Sequence, residues 1–123
     1  MGSNARRRSL VTLKQGSVIK INFNPQLGHE QAGFRPALVL SNTFFNERSN
    51  MIIVAPITNT NRAYPTHVSL NGFDTQTTGY VMCEQVKAVD LNARGYQFVE
   101  YAPVEVMDRV LEVAALLISK DSE

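Results

Sequence analysis

Apolar and polar positions change their spacing along this chain, and the changes mark its elements. In "SVIKINF", residues 17–23, polar and apolar side chains alternate and β-branched residues dominate, which predicts a strand. "PALVLS" (36–41) is a short apolar run opened by a proline, which suits the first position of a strand. "MIIVAPI" (51–57) is apolar almost throughout and predicts the most deeply buried strand. Pro56 near its end is expected to break the ladder and turn the following "TNTN" away. "THVSL" (66–70) puts Val68 and Leu70 on one face and His67 and Ser69 on the other. "GYVMCEQVKAV" (79–89) reads as a strand region, and "YQFVEY" (96–101) as a short one.

The period then lengthens. In "PVEVMDRVLEVAALLIS", Val106, Val110, Val113 and Leu117, with Met107, Ala114 and Ile118, recur at helical spacing. Pro103 fits a first helical turn, so a helix is predicted over about 103–119. "NTFFNERS" reads as a turn or a single helical turn, capped by Asn42 or Thr43. Five or more short strands followed by one amphipathic helix imply a mostly β protein. The expected architecture is a small, strongly bent antiparallel sheet or barrel with the helix packed on it.

A chain of 123 residues with 44% hydrophobic content supports one modest core. Residues 1–14, which hold "NARRRS" and show no periodicity, are read as a disordered or partly cloning-derived arm, and 15–120 as the folded domain. A nucleic-acid-binding arm is the sharper alternative. Net charge is +1, but Arg6, Arg7 and Arg8 supply three of the positive charges. The rest carries nine Lys and Arg against eleven Asp and Glu, a balance of −2. That excludes a protein holding long duplex DNA by bulk charge and leaves room for a local groove for a short single strand. No run reaches the roughly 18 apolar residues of a membrane span, and no signal peptide opens the chain. The single Cys83 cannot form an intramolecular disulfide. The expected setting is the cytoplasm, with no membrane partner.

Candidate chemistry concentrates between the first two strands. "GHEQAGFRP" places His29, Glu30, Gln31 and Arg35 on one loop, with Gly28 and Gly33 giving the backbone freedom to bend. Arg35 could pair with a carboxylate, or its guanidinium could fork onto phosphate oxygens. Thr58, after Pro56 and Ile57, is a turn-forming hydroxyl or a donor to an anionic oxygen. Glu84 and Gln85 interrupt an apolar strand, so Glu84 either faces solvent or lines a cleft. His29 and His67 stand in dissimilar contexts and Cys83 has no ligand at metal spacing, so neither a metal site nor another cofactor is expected. Cys83 reads as a packed small residue. There is no Walker or Rossmann phosphate loop and no nucleophile elbow.

The succession "GSVIKINFNP", "GHEQAGFRPALVLS", "VAPITNT", "PTHVSL", "GYVMCEQVKAVDLNARG" and the C-terminal helix resembles the MazF/PemK family of toxin endoribonucleases from toxin–antitoxin pairs. The resemblance covers roughly residues 15–119. It implies an SH3-like barrel with a C-terminal helix, assembled as a homodimer. It also implies metal-independent cleavage of single-stranded RNA at short motifs, with the 2′-OH as nucleophile and a 2′,3′-cyclic phosphate and 5′-OH as products. The expected partners are that RNA and a cognate antitoxin with an acidic, disordered tail. Catalytic weight falls on Arg35 and Thr58, with His29 and Glu30 in support. Gln31, Gly33, Asn59, Glu84 and Gln85 are placed along the substrate path.

Three positions depart from the pattern. One plasmid-borne branch carries an Arg and an Asp, two apart, where this chain has Met82 and Glu84. The usual Asp after the first Gly is Ser17. His29, Glu30 and Glu84 all remain candidates for the base. Two other functions compete: a non-catalytic, protein-binding toxin of the same fold, gyrase-poison-like, and a catalytically dead SH3-like adaptor. The gyrase poison depends on a tryptophan near its C-terminus, and this chain has none.

Overall fold

Seven strands and two helices follow the predicted order in the computed structural model, which describes residues 13–23, 33–60 and 64–122. The strands are β1 (Ser17–Asn22), β2 (Phe34–Val39), β3 (Met51–Thr58), β4 (His67–Ser69), β5 (Tyr80–Met82), β6 (Lys87–Asp90) and β7 (Tyr96–Tyr101). The helices are α1 (Thr43–Arg48) and α2 (Val104–Leu117). Every strand pairing is antiparallel, and the sheet runs β4-β5-β3-β2-β1-β7, with β6 also paired to β3. Among the described residues no pairing joins β4 to β7, so the sheet is bent but open.

β3 organises this arrangement. One edge holds β2, while the other pairs with β6 over 51–54 and then with β5 over 57–58. Pro56 was expected to end the strand, yet β3 continues through Thr58. The residue without an N–H falls where the partner changes from β6 to β5, so a missing donor costs little there.

The central strands are buried on both faces, which is why "MIIVAPI" shows no alternation. One core joins Val18, Leu38, Ala55, Ile57, Val68, Leu70 and Val81 to Val106, Val110 and Val113 of α2. The other holds Ile19, Ile21, Ala37, Val39, Ile52, Val54 and Val89 and takes nothing from the helix. The sheet therefore curls over its own inner face and leaves α2 to cover the other. Burying each valine of α2 contributes about 1.5–3 kcal/mol. Leu117 and Ile118, which share the predicted periodicity, lie outside this buried stripe and are exposed.

Details of the ends follow local chemistry. The Asn42 side chain accepts from the Phe45 N–H at 2.9 Å and caps α1. Pro103 stands just before α2, and its carbonyl accepts the Met107 N–H at 3.0 Å. β1 and β7 shift register between Val18 and Ile19, a bulge that bends the sheet. The region 79–89 is two strands rather than one. A 3₁₀ turn at Cys83–Gln85 separates β5 from β6, so Glu84 and Gln85 lie on a turn, not in mid-strand.

Candidate active site

Arg35 and Thr58 are 23 residues apart and meet through strand register. β2 and β3 pair Val39 with Val54, Leu38 with Ala55 and Ala37 with Pro56. Beyond that pairing, toward the same end of the two strands, stand Arg35 on β2 and Thr58 on β3. Both line a cavity of about 540 Å³, together with Asn59, Gln85, Lys87 and Phe23. Arg35 is exposed, and among the described residues it has no ion-pair or hydrogen-bond partner. Its guanidinium is available to a ligand, and Pro36 behind it restricts the backbone.

Lys87 supplies a second cation. Its Nζ lies 4.9 Å from the centre of the Phe23 ring, which keeps the ammonium at the cavity wall. The Thr58 Oγ1 accepts the Thr60 N–H at 3.1 Å, leaving the hydroxyl proton to donate elsewhere. Gly79 makes this approach possible. Its φ is +111°, and a side chain there would overlap the Thr58 carbonyl and come within 3.0 Å of the Asn59 Oδ1. The Asn59 Oδ1 itself accepts from the Thr78 hydroxyl at 2.9 Å, so the turn after β3 is tied to the start of β5.

A smaller cavity of about 230 Å³ adjoins the first and shares Thr58, Thr60, Met82 and Gln85 with it. Its other wall is Tyr64, His67 and Glu84. The Thr66 hydroxyl donates to Glu84 Oε1 at 2.7 Å, and His67 Nε2 lies 3.1 Å from Oε2. Partial burial acts to raise the Glu84 carboxyl, but the hydrogen bonds from Thr66, its own backbone N–H and His67 outweigh it. The group is held below the usual carboxylate range. At neutral pH Glu84 is therefore an anion that only accepts. Next to it, the Cys83 thiol is pushed up to about 11, chiefly by burial and then by the Glu84 charge. It is protonated and packed, as its sequence context implied.

Among the predicted site residues, the structure brings Arg35, Thr58, Asn59 and Gln85 together, with Glu84 in the adjoining cavity. His29, Glu30 and Gln31 lie outside the described residues, as do Gly28 and the N-terminal arm up to residue 12. Gly33 serves for room rather than for a left-handed backbone: a Cβ there would sit 2.8 Å from Asn22 Oδ1. Sequence reasoning missed Lys87, Phe23, Tyr64 and His67. The alternation of "THVSL" did assign His67 to the polar face, but nothing local pointed to Glu84 as its partner. Among the described residues no three His, Cys, Asp or Glu side chains group to hold a metal. No described helix is long and apolar enough to cross a membrane.

Comparison with known proteins gives a consistent result. The chain is 36% identical over 109 residues to "Endoribonuclease PemK" of Escherichia coli, covering 86% of this chain and 80% of that protein. It is 39% identical over 80 residues to "Endoribonuclease toxin MazF" of Escherichia coli (strain K12), covering 65% of this chain and 70% of the relative. The crystal structure of MazF (Form-I) from Deinococcus radiodurans superposes with a TM-score of 0.76 at 30% identity, covering 88% of this chain and 97% of that one. The family described as "PemK-like, MazF-like toxin of type II toxin-antitoxin system" matches residues 14–118. With that span matched and the strand order, helix and cavity in place, the chain belongs to the PemK-like, MazF-like toxin family of type II toxin–antitoxin systems.

Proposed function

We propose that the chain is a metal-independent endoribonuclease that cuts single-stranded RNA at short motifs and is held in check by a cognate antitoxin. The observation that carries this reading is the juxtaposition of Arg35 and Thr58 on the wall of one cavity, with Lys87 beside them. In the proposed reaction the RNA 2′-oxygen attacks the adjacent phosphorus and the 5′-oxygen of the next nucleotide leaves. The 2′-OH proton passes to a base and a proton is delivered to the departing oxygen. A 2′,3′-cyclic phosphate and a 5′-OH result. Charge builds on the non-bridging oxygens, where a guanidinium and a hydroxyl stabilise it most. His29 and Glu30 stay candidates for the base. Glu84 is the weaker one, because a depressed pKa lowers its pull on a proton. Gln31, Gly33, Asn59 and Gln85 belong to the substrate path in this reading.

The relatives are named endoribonucleases, which favours catalysis over a gyrase-poison-like role. The exposed Leu116, Leu117 and Ile118 at the end of α2, with Phe98, Tyr101 and Val104, support a homodimer. Cytoplasmic action follows from RNA as substrate. The antitoxin is expected to carry an acidic disordered tail that folds across the RNA path. The test is a cleavage time course on single-stranded RNA with excess EDTA, followed by analysis of product ends. Cutting that persists in EDTA and leaves 5′-OH ends is expected. Loss of cutting in EDTA, restored by a divalent cation, would refute metal independence.

A further inference from the structure

The outermost strands of the open sheet, β4 and β7, are bridged by one carboxylate. Glu100 on β7 accepts the Gln76 N–H at 3.0 Å through one oxygen and the Thr77 N–H at 2.8 Å through the other. Both donors belong to the loop that joins β4 to β5, so β7 is tied to the hairpin at the far edge of the sheet. No residue from 71 to 78 is buried, and Phe73 in that loop is exposed. Hydrogen bonds rather than packing therefore set the position of the segment, and the charge-assisted pair to Glu100 is the stronger kind. Glu100 itself lines neither of the two cavities.

We propose that Glu100 is a positioning residue for RNA cleavage: it fixes residues 76–78, and through the Thr78 hydroxyl it holds the Asn59 amide with its N–H groups turned to the phosphate at Arg35 and Thr58. The inference rests on the RNA-cleaving reading and deepens it. The residues after Thr77 lead directly to the larger cavity. Thr78 donates its hydroxyl to Asn59 Oδ1 at 2.9 Å, Gly79 packs against the Thr58 carbonyl, and Tyr80 pairs with Thr58. Inside the segment the Thr75 hydroxyl donates to the Thr77 carbonyl at 2.7 Å, which stiffens the piece that Glu100 grips. Asn59 lines the cavity beside Arg35 and Thr58. With Oδ1 engaged by Thr78, what the amide has left for a ligand is its pair of N–H donors. Freed from that bond, the amide can turn about its last torsion and present its oxygen, which an anionic phosphate repels. A carboxylate on β7 thus decides which end of an amide meets the substrate, without touching the substrate itself.

The test is a double-mutant cycle on the full chain, with kcat and KM measured on one single-stranded RNA below the melting temperature of every variant. Glu100→Gln keeps the size of the side chain but offers one acceptor oxygen to two N–H donors. It should lower kcat about tenfold and leave KM within about twofold. Thr78→Val, which leaves the Glu100 bonds whole and removes only the hydroxyl, should lower kcat in the same way. In an Asn59→Ala background the Glu100→Gln change should cost less than about twofold, because the group it positions is gone. A Glu100→Gln chain with a lower melting temperature and wild-type kcat overturns the proposal, since Glu100 then serves the fold alone. Wild-type kcat in Thr78→Val or Asn59→Ala overturns it too, as does an equal Glu100→Gln cost in both backgrounds. If Glu100→Gln and Glu100→Asp both fail to fold, Glu100 is a structural residue and the proposal falls. In all these outcomes cutting by wild type leaves the endoribonuclease reading standing, whereas no cutting by wild type would overturn both.

Discussion

Replacing Arg35 with alanine separates catalysis from folding at this site. Arg35 is exposed, and its place in β2 depends on backbone pairing with Ile21, which alanine retains. With no partner among the described residues, the side chain contributes little to the folded state. A surface change of this kind moves stability by about 0.5 kcal/mol or less. The expected loss in rate is far larger. A preorganised donor aimed at developing charge is worth about 3–4 kcal/mol, or roughly a hundred- to a thousandfold. Lys87 lines the same cavity and will retain some attraction for the phosphate, so substrate binding should weaken less than turnover. Arg35→Lys should recover only part of the loss, since an ammonium cannot fork across two oxygens. The assay is a single-turnover time course on one RNA, with a thermal melt of each variant. A folded alanine variant that cuts at near wild-type rate would refute the role. A collapsed melt would instead make Arg35 a structural residue and shift attention to Thr58.

Other expectations follow from contacts around the cavity. Thr58→Val keeps the shape of β3 and removes the hydroxyl, and should slow cleavage about tenfold or more with only a small fall in melting temperature from the lost Thr60 N–H bond, whereas Thr58→Ser should retain most activity. Gly79→Ala must hold a side chain at φ +111° against the Thr58 carbonyl. The backbone angle alone costs about 1–2 kcal/mol, so both melting temperature and cleavage should fall. The Glu100 carboxylate accepts the N–H groups of Gln76 at 3.0 Å and Thr77 at 2.8 Å and pins that segment to β7. Burial acts to raise it, but these bonds hold it below its ordinary 4.5. The stability it gives is present above that value and lost as pH falls through the lower folded one. Melts from pH 3 to 7 should show Glu100→Gln less stable at neutrality and flatter below about pH 4.5. An unchanged acid limb would remove Glu100 from that role.

Most of the fold could be read along the chain because periodicity is a local property. The 3.6-residue spacing from Val106 to Val113 foretold α2 to within two residues at either end, and the alternation of 66–70 buried Val68 and Leu70 as expected. The turn at Cys83–Gln85 was hidden, because a 3₁₀ turn of three residues leaves no period to detect. Nor could Pro56 be judged from its neighbours, since the cost of a missing N–H depends on which strand lies opposite. The same division runs through the site. The residue types and motif order by themselves marked Arg35, Thr58, Glu84 and Gln85 as candidates. Only the tertiary structure could decide which of them meet. Arg35 and Thr58 share a cavity because β2 and β3 pair antiparallel, and the contact of His67 with Glu84 joins residues 17 apart. The sequence determined what chemistry each position can offer. Pairing of distant strands determined which groups share a cavity, because register is set by burial of whole strands and not by any residue in the site.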